Sequence, residues 1–310
     1  MLESPRFNGK LLLFGEHLIN RGGKALALPA PSFYGQFGGA SWQKPLHPFD
    51  HEQQSSSNAS IQNLYHFLHQ QPKWAERFNF ERIAGDLANG LYFAANIPQG
   101  YGLGSSGALV AALLAVYGYA ESCPADLVSL RSDLAAMESF FHGKSSGLDP
   151  LVTATNAEIL LNGNEIACLP KVASSDNRAL QLFVIDSGRP RKTAPMVAWF
   201  LKQCEESRFN AVVEQELIPA SDACIDAYVQ RDSLKLWNGL KCLSKLQLQW
   251  LHPLIPNAWH EPWAEGLKSG NYYLKLCGAG GGGFIIGVAP ANLSLEDLPF
   301  ASVVTPVLAI

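Results

Sequence analysis

The 310-residue sequence predicts an α+β protein of about two domains, and three observations support this prediction. Strand-like and helix-like segments are mixed along the chain, without the regular alternation that builds a doubly wound parallel sheet. Two apolar segments near the N-terminus are separated by turn residues rather than by a helix. The length is about twice that of a typical single domain, so a substantial core can form.

Composition excludes several classes of function. The formal net charge of −4 provides no basic field for nucleic acid and no polybasic patch for a membrane. The longest apolar run, residues 108–117, is far shorter than the roughly 20 residues that span a bilayer. The six cysteines form no CxxC pair and no zinc-type spacing, and no secretory signal opens the chain. We therefore expect a soluble cytoplasmic protein with reduced thiols that acts on small molecules.

The first elements are predicted to be a hairpin, a loop, a helix and a strand. Residues 10–14 and 25–29 are apolar runs on either side of a glycine-containing turn, which is typical of a hairpin. The polar segment 47–60 predicts an exposed loop, either a lid or a linker. Helical spacing begins at Ile61, and residues 91–97 resemble a strand that enters a glycine-rich turn.

The remaining elements divide into two groups. Residues 108–120 predict a buried helix, and residues 126–141 have the spacing of a second helix. A hairpin is expected at 159–168, turning at an Asn-Gly-Asn sequence. The short polar segment 171–178 then separates two predicted domains, residues 1–174 and 175–310. Beyond it the sequence predicts a strand, several helices and a strand–glycine turn–strand unit, at 180–185, 194–267 and 272–288.

The most informative segment is 98–107, where the closely spaced Gly100, Gly102 and Gly104 and two serines precede the apolar helix. A glycine-rich turn that enters a helix leaves backbone N–H groups without intrahelical partners at the positive end of the helix dipole. The missing Cβ atoms allow the backbone to wrap closely around a bulky anion, and phosphate is the usual ligand. The alternative is a tight turn with no ligand.

The same segment matches the dinucleotide fingerprint GxGxxG from Gly102 to Gly107. That function requires a βαβ unit whose second strand ends in an acidic residue. Here the apolar helix is followed by the helical spacing of 126–141, with no strand between them, so this context is missing. The GxxxxGK[ST] phosphate loop is also missing, because residues 143–145 lack the upstream glycine.

Charged residues form further patterns, each of which also fits an ordinary structural role. Lys10 begins a predicted strand, and a Gly-Glu-His turn at 15–17 follows it. Glu138 lies on a predicted helix, and Asp149 precedes a proline in the pattern of a helix cap. Residues 278–283 contain five glycines in six positions, which costs folding entropy unless the backbone passes close to another group.

Together and in this order, these segments resemble the GHMP kinase superfamily. Residues 98–106 are similar to its ATP-binding signature, and residues 278–283 to its C-terminal glycine motif. The segments 10–17, 138–149 and 190–193 resemble, at matching spacing, the motifs of mevalonate kinases within that superfamily. A galactokinase is disfavoured because the Gly-Glu-His turn is followed by Leu-Ile rather than Thr-Asp.

The resemblance implies a two-domain GHMP kinase fold. Its N-terminal domain is expected to be ribosomal-protein-S5-domain-2-like, its C-terminal domain ferredoxin-like α+β, and its active site to lie in the cleft between them. The implied activity is ATP-dependent phosphorylation of the primary hydroxyl of mevalonate to 5-phosphomevalonate, for isoprenoid precursor synthesis. Homoserine kinase, phosphomevalonate kinase and a non-catalytic ATP or metabolite sensor of the same fold are the alternatives. Oligomeric state is left open, with a homodimer as one option.

The resemblance also implies roles for individual residues. Asp149 would accept or orient the proton of the acceptor hydroxyl, and Lys10 would offset negative charge beside it. Ser106 and Glu138 would hold Mg²⁺, which prefers hard oxygen ligands. The acceptor would contact four residues, His17, Thr193, Gly278 and Ala279. ATP would contact the loop residues Pro98, Gly100, Tyr101, Gly102, Leu103, Gly104, Ser105, Ser106 and Gly107.

Two positions depart from the superfamily pattern. Tyr101 stands where a small residue is common, and Lys144-Ser145 stands where a proline commonly precedes Ser-Gly. We expect the first departure to affect the nucleotide side of the site and the second to affect the acceptor side.

Overall fold

The computed structural model describes residues 2–39, 41–170 and 179–310. The predicted domain boundary in 171–178 lies outside the described residues, so the ranges 1–174 and 175–310 stay a prediction. Contacts divide the chain into two compact units. The first unit comprises Met1–Lys10, Pro29–Pro98 and Leu103–Ala157, and the second comprises Leu11–Leu28, Gln99–Gly102 and Glu158–Ile310.

Five of the strands in the described residues form one sheet, in the order β1-β2-β4-β5 with β3 also paired to β2. The strand β2 is antiparallel to β3 and to β4, with Phe37 opposite Phe93 and Ala27 opposite Ile159. Both predicted hairpins, at 10–29 and at 159–168, are confirmed. The strands are β1 (Phe7–Phe14), β2 (Ala25–Gly38), β3 (Tyr92–Ala95), β4 (Ile159–Asn162) and β5 (Glu165–Cys168).

The second unit contains an antiparallel sheet in the order β7-β8-β6-β9. Phe183 lies opposite Gly287, where a Cβ atom would stand 2.1 Å from Cε2 of the Phe183 ring. The missing side chain therefore makes room for a buried aromatic ring. The predicted strand–glycine turn–strand unit is confirmed as two paired strands. The strands are β6 (Leu180–Asp186), β7 (Tyr273–Leu276), β8 (Phe284–Pro290) and β9 (Val304–Ala309).

The helices in the described residues include one that is apolar on all sides. In this helix, α4, every residue from Gly107 to Leu114 is buried, and no strand separates it from α5, as the sequence predicts. A π-helical turn, Val213–Leu217, joins α8 directly to α9. The α-helices are α1 (His51–His69), α2 (Pro72–Ala75), α3 (Phe80–Ala88), α4 (Ser105–Tyr117), α5 (Leu127–His142), α6 (Leu148–Thr155), α7 (Thr193–Gln203), α8 (Ser207–Val212), α9 (Ile218–Val229), α10 (Ser233–Trp250) and α11 (His260–Ser269).

The predicted loop at 47–60 is wrong over most of its length, because α1 begins at His51. The Asp50 side chain accepts a hydrogen bond of 2.8 Å from the Gln53 N–H, and the Gln53 side chain accepts one of 2.9 Å from the Asp50 N–H. This capping box starts the helix. Ser57 on the same helix bonds to both backbone groups of Phe93 in β3. The polar residues thus cap the helix and bind a strand edge.

None of the helices in the described ranges is long and apolar enough to cross a bilayer.

We predict that Asp50→Ala lowers the free energy of unfolding by about 1 kcal/mol, because it removes the cap of α1. Urea unfolding followed by circular dichroism measures this change. Gln62→Ala, at an exposed position inside the same helix, is the control and should have little effect. Equal effects of the two substitutions would contradict the role of the cap.

Candidate active site

The glycine-rich loop ends in the first unit at the start of α4, directly against Asp149. Gly104 is the N-cap residue with φ of 72°, and no side chain caps the helix. The first N–H groups of α4 therefore remain available for a ligand. A Cβ atom on Gly104 or on Gly107 would lie 3.0 Å from Cβ of Asp149. Glycine at these two positions allows α4 to approach the Asp149 side chain closely.

Asp149 forms an ion pair with Lys10 in the same unit. The distance between Lys10 Nζ and Asp149 Oδ1 is 2.6 Å. The Lys10 side chain is 8% exposed and that of Asp149 is 29% exposed, so only the carboxylate is open to a ligand. The Lys10 N–H donates to the carbonyl of Leu103, at 2.8 Å, which ties the strand to the glycine loop. The structure thus brings together the two residues that the resemblance marks as catalytic.

The interpretation of Asp149 as a helix cap is wrong. The helix α6 begins at Leu148, its N-cap residue is Gly147 with φ of 69°, and Asp149 is the second residue of the helix. A carboxylate in the first turn is stabilised by the helix dipole. Its side chain points to Lys10 rather than to the N–H groups of its own helix.

Glu138 on α5 is the centre of a hydrogen-bonded cluster in the first unit. Ser106 donates to Glu138 Oε1 at 2.9 Å, and the hydroxyl of Ser145 donates to Oε2. His142 Nε2 lies 2.9 Å from Ser106 Oγ. Because the Ser106 hydroxyl hydrogen is directed at Glu138, His142 is the donor in this contact. The resemblance named Ser106 and Glu138 as metal ligands, but it named neither His142 nor Ser145.

This cluster suits a hard cation. Burial raises the pKa of the Glu138 carboxyl and the negative charge of Asp149 raises it further, while the hydroxyls of Ser145 and Ser106 oppose the shift. A bound cation would offset the cost of burying this carboxylate. Within the described ranges, no group of three or more His, Cys, Asp or Glu side chains could hold a metal ion. One carboxylate and one hydroxyl still fit Mg²⁺, which takes its other ligands from phosphate and water.

In the second unit, Arg191 lies between two glycine segments. Its Nη1 donates to the carbonyl of Cys277 at 2.5 Å, and its backbone N–H donates to that of Gly100 at 3.1 Å. A Cβ atom on Gly102 would stand 2.3 Å from Nη2, and one on Gly278 would stand 2.4 Å from Nη1. The guanidinium therefore occupies the space that these glycines leave. The sequence contains the motif 190–193, but it does not predict the contacts of Arg191.

Tyr101 fixes the remainder of the glycine loop within the second unit. Its ring lies 5.0 Å from that of Phe284, in an edge-to-face arrangement. Burial and the charge of Asp186 raise the pKa of Tyr101. A Cβ atom on Gly283 would lie 3.0 Å from the Tyr101 Cα. Glycine at position 283 therefore lets the C-terminal glycine motif pass close to the backbone of Tyr101.

His17, which the resemblance assigns to the acceptor, is held by the C-terminal glycine segment of the second unit. Its Nε2 lies 3.1 Å from the carbonyl of Ala279, next to Gly278, and its ring stacks on Phe200 at 4.7 Å. Burial lowers the pKa of His17, so the ring is neutral near pH 7 and donates through Nε2–H. Thr193, the fourth predicted acceptor residue, is exposed and begins α7.

A buried ion pair that sequence reasoning missed supports the turn before His17. Glu16 Oε1 lies 2.7 Å from Lys275 Nζ, and both side chains are almost fully buried. Gln247 donates to Glu16 at 2.7 Å and accepts from the Leu276 N–H at 2.8 Å. The signal in the sequence was a single lysine inside the otherwise apolar strand β7. This network fixes the turn against β7.

We predict that His17 titrates below about 6.5, the ordinary pKa of histidine, because its ring is buried. NMR of labelled histidines over pH measures the midpoint, with His17→Gln used to assign the signal. Because the folded pKa lies below the unfolded one, this residue's contribution to stability is present above pH 6.5 and lost as pH falls through the folded pKa. A midpoint at or above 6.5 contradicts the burial argument.

Comparison with known proteins supports the resemblance. Residues 73–156 match the family model of the GHMP kinases N terminal domain. No curated protein has a sequence significantly similar to that of this chain. Solved structures of similar fold include L. major mevalonate kinase in complex with R-mevalonate, at a TM-score of 0.65 and 18% identity, covering 99% of this chain and 95% of that chain.

Two further solved structures of similar fold contain other bound molecules. Streptococcus pneumoniae phosphomevalonate kinase, in complex with phosphomevalonate and AMPPNP, has a TM-score of 0.60 at 16% identity and covers 99% of each chain. Lactococcus lactis galactokinase, complexed with galactose, has a TM-score of 0.57 at 15% identity, covering 92% of this chain and 84% of that chain. The predicted resemblance and the predicted α+β fold are thus confirmed: residues 73–156 match the GHMP kinases N-terminal domain model, and the chain shares its fold with solved kinases of that group.

Proposed function

We propose that this protein is an ATP-dependent phosphotransferase that phosphorylates the primary hydroxyl of mevalonate. The ion pair of 2.6 Å between Lys10 and Asp149, placed against the start of α4, is the observation that carries the proposal. Phosphoryl transfer requires mainly positioning and charge neutralisation, because the transferred group is negative and metaphosphate-like. A carboxylate, a lysine and an uncapped helix N-terminus in contact supply these requirements.

Each residue of the pair has a separate function in this proposal. Asp149, the more exposed partner, accepts the proton of the acceptor hydroxyl or orients that hydroxyl for attack. Lys10 carries a buried positive charge beside it, where little water screens its field. That charge offsets the negative charge that develops on the attacking oxygen and on the transferred group.

The phosphates of ATP are bound by backbone groups in this proposal. The first N–H groups of α4, from Ser105 to Gly107, lie at the positive end of the helix dipole and suit phosphate oxygens. Mg²⁺ at Glu138 and Ser106 would neutralise phosphate charge when bound. In the second unit, the guanidinium of Arg191 donates one hydrogen bond to the Cys277 carbonyl. Its other N–H groups suit the oxygens of a phosphate or carboxylate.

Mevalonate is the proposed acceptor because the motifs that contain Lys10, Glu138 and Thr193 resemble those of mevalonate kinases. A solved mevalonate kinase of similar fold binds R-mevalonate, but kinases of similar fold also bind phosphomevalonate and galactose. Phosphomevalonate and homoserine therefore remain alternative acceptors. A sensor without turnover would not require the ion pair together with the Glu138 cluster. The homodimer and the cytoplasmic location remain predictions from the sequence alone.

We expect ADP release to be fastest with mevalonate when the protein and Mg-ATP are offered mevalonate, phosphomevalonate, homoserine or galactose. A coupled ADP assay measures the rates, and mass spectrometry identifies the phosphorylated product. Turnover of another acceptor would support the proposed phosphotransferase activity but would contradict the proposal that mevalonate is the acceptor. No turnover with any of the four would contradict the proposed activity toward these substrates.

Replacing Asp149 by Asn should lower kcat by about 10²- to 10⁴-fold, the usual contribution of general acid–base catalysis. Asp297→Asn, at an exposed position outside the site, is the matched control and should retain the kcat of the unmodified protein. Urea unfolding of both variants shows whether the chain remains folded without the partner of Lys10. Near-normal turnover by Asp149→Asn would exclude the function proposed for this carboxylate.

A further inference from the structure

Ser145 stands where related kinases commonly have a proline, and its hydroxyl makes hydrogen bonds on two sides. The hydroxyl donates to Glu138 Oε2, and its oxygen accepts the N–H of Gly147 at 2.9 Å. A proline at this position would have no side-chain donor or acceptor. Ser145 therefore makes contacts that the common residue cannot make.

One side of this arrangement fixes the Glu138 carboxylate. Ser106 donates to Oε1 at 2.9 Å, and Ser145 donates to Oε2. The terminal torsion of a glutamate is broad, so a carboxylate bound through one oxygen can still rotate. Hydrogen bonds to both oxygens fix the plane of the group. The Ser145 hydroxyl thus selects the direction in which the lone pairs of Glu138 point.

The other side of the arrangement holds the start of α6. Gly147 is the N-cap of this helix, and a Cβ atom there would stand 2.3 Å from the carbonyl of Arg131 on α5. The helix start is therefore packed directly onto the helix that carries Glu138. Asp149 is only two residues further along. The hydroxyl of Ser145 accordingly connects Glu138 with the backbone that positions Asp149.

We infer that Ser145 is a positioning residue that orients Glu138 toward the cation of the bound nucleotide and fixes it relative to Asp149. The inference rests on the proposed function, because the cation and the nucleotide belong to that proposal. It goes beyond the resemblance, which gives this position to a residue without a hydroxyl.

Calorimetric titration with AMPPNP, in the presence and absence of Mg²⁺, tests the inference without turnover. Ser145→Ala should weaken binding with Mg²⁺ by about 10- to 100-fold, the usual effect of removing a group that orients a metal ligand. Binding without Mg²⁺ should not change. Ser145→Thr retains the hydroxyl and should restore binding. Ser146→Ala is the matched control, because the Ser146 hydroxyl accepts only the Leu148 N–H, at 3.3 Å.

Hydrogen exchange at the Gly147 amide provides a second readout. Exchange should be faster in Ser145→Ala than in Ser146→Ala, because only the first substitution removes the acceptor of this N–H. If Ser145→Ala does not fold, Ser145→Cys replaces it, since a thiol is a weak donor and the same loss is expected.

The outcomes separate this inference from the proposed function. If the unmodified protein shows no Mg²⁺-dependent binding of AMPPNP, the proposed function fails and the inference fails with it. If it binds and Ser145→Ala has the same Mg²⁺ dependence, the inference is overturned while the proposed function stands.

Discussion

The buried charge of Lys10 is the constraint on which the first unit depends. A lysine in the interior requires a partner, because an unpaired buried charge costs more than the pair contributes. That partner is Asp149, at 2.6 Å, on the first turn of α6. Gly104 and Gly107 let α4 pack closely against this aspartate, because a Cβ atom on either would lie 3.0 Å from the Asp149 Cβ. The ion pair, the close packing of α4 and the hydrogen bond of 2.8 Å from the Lys10 N–H to the Leu103 carbonyl thus meet at one point of the first unit.

The second unit uses the same combination of buried charge and glycine. Glu16 and Lys275 form an almost fully buried pair that holds the turn before His17. Arg191 lies against two glycine segments, where any side chain at Gly102 or Gly278 would overlap its guanidinium. Breaking such a pair by removing one partner leaves an uncompensated buried charge, so each pair holds its two segments together.

Two positions at which the sequence analysis expects a departure from the superfamily pattern make defined contacts in the structure. At Ser145 a hydroxyl replaces the common proline and bonds to both the Glu138 carboxylate and the helix that carries Asp149. At Tyr101 in the second unit, where the sequence analysis expects a small residue, a large ring packs edge-to-face on Phe284 at 5.0 Å.

The sequence by itself determined the hairpins, the apolar helix α4, the glycine segments and the identity of the charged residues. These follow from periodicity, turn chemistry and motif spacing, which are local properties of the chain. Only the tertiary structure decided that α1 extends back to His51, that Asp149 lies inside a helix, and that Arg191 and Ser145 contact segments of the candidate site. A capping box stabilises the start of α1, and the Ser57 hydroxyl on this helix donates a hydrogen bond to a distant strand. The polar composition of this segment predicted a loop, because it does not reveal these contacts. The contacts of Arg191 join residues far apart in the chain, and a local pattern carries no information about such distances.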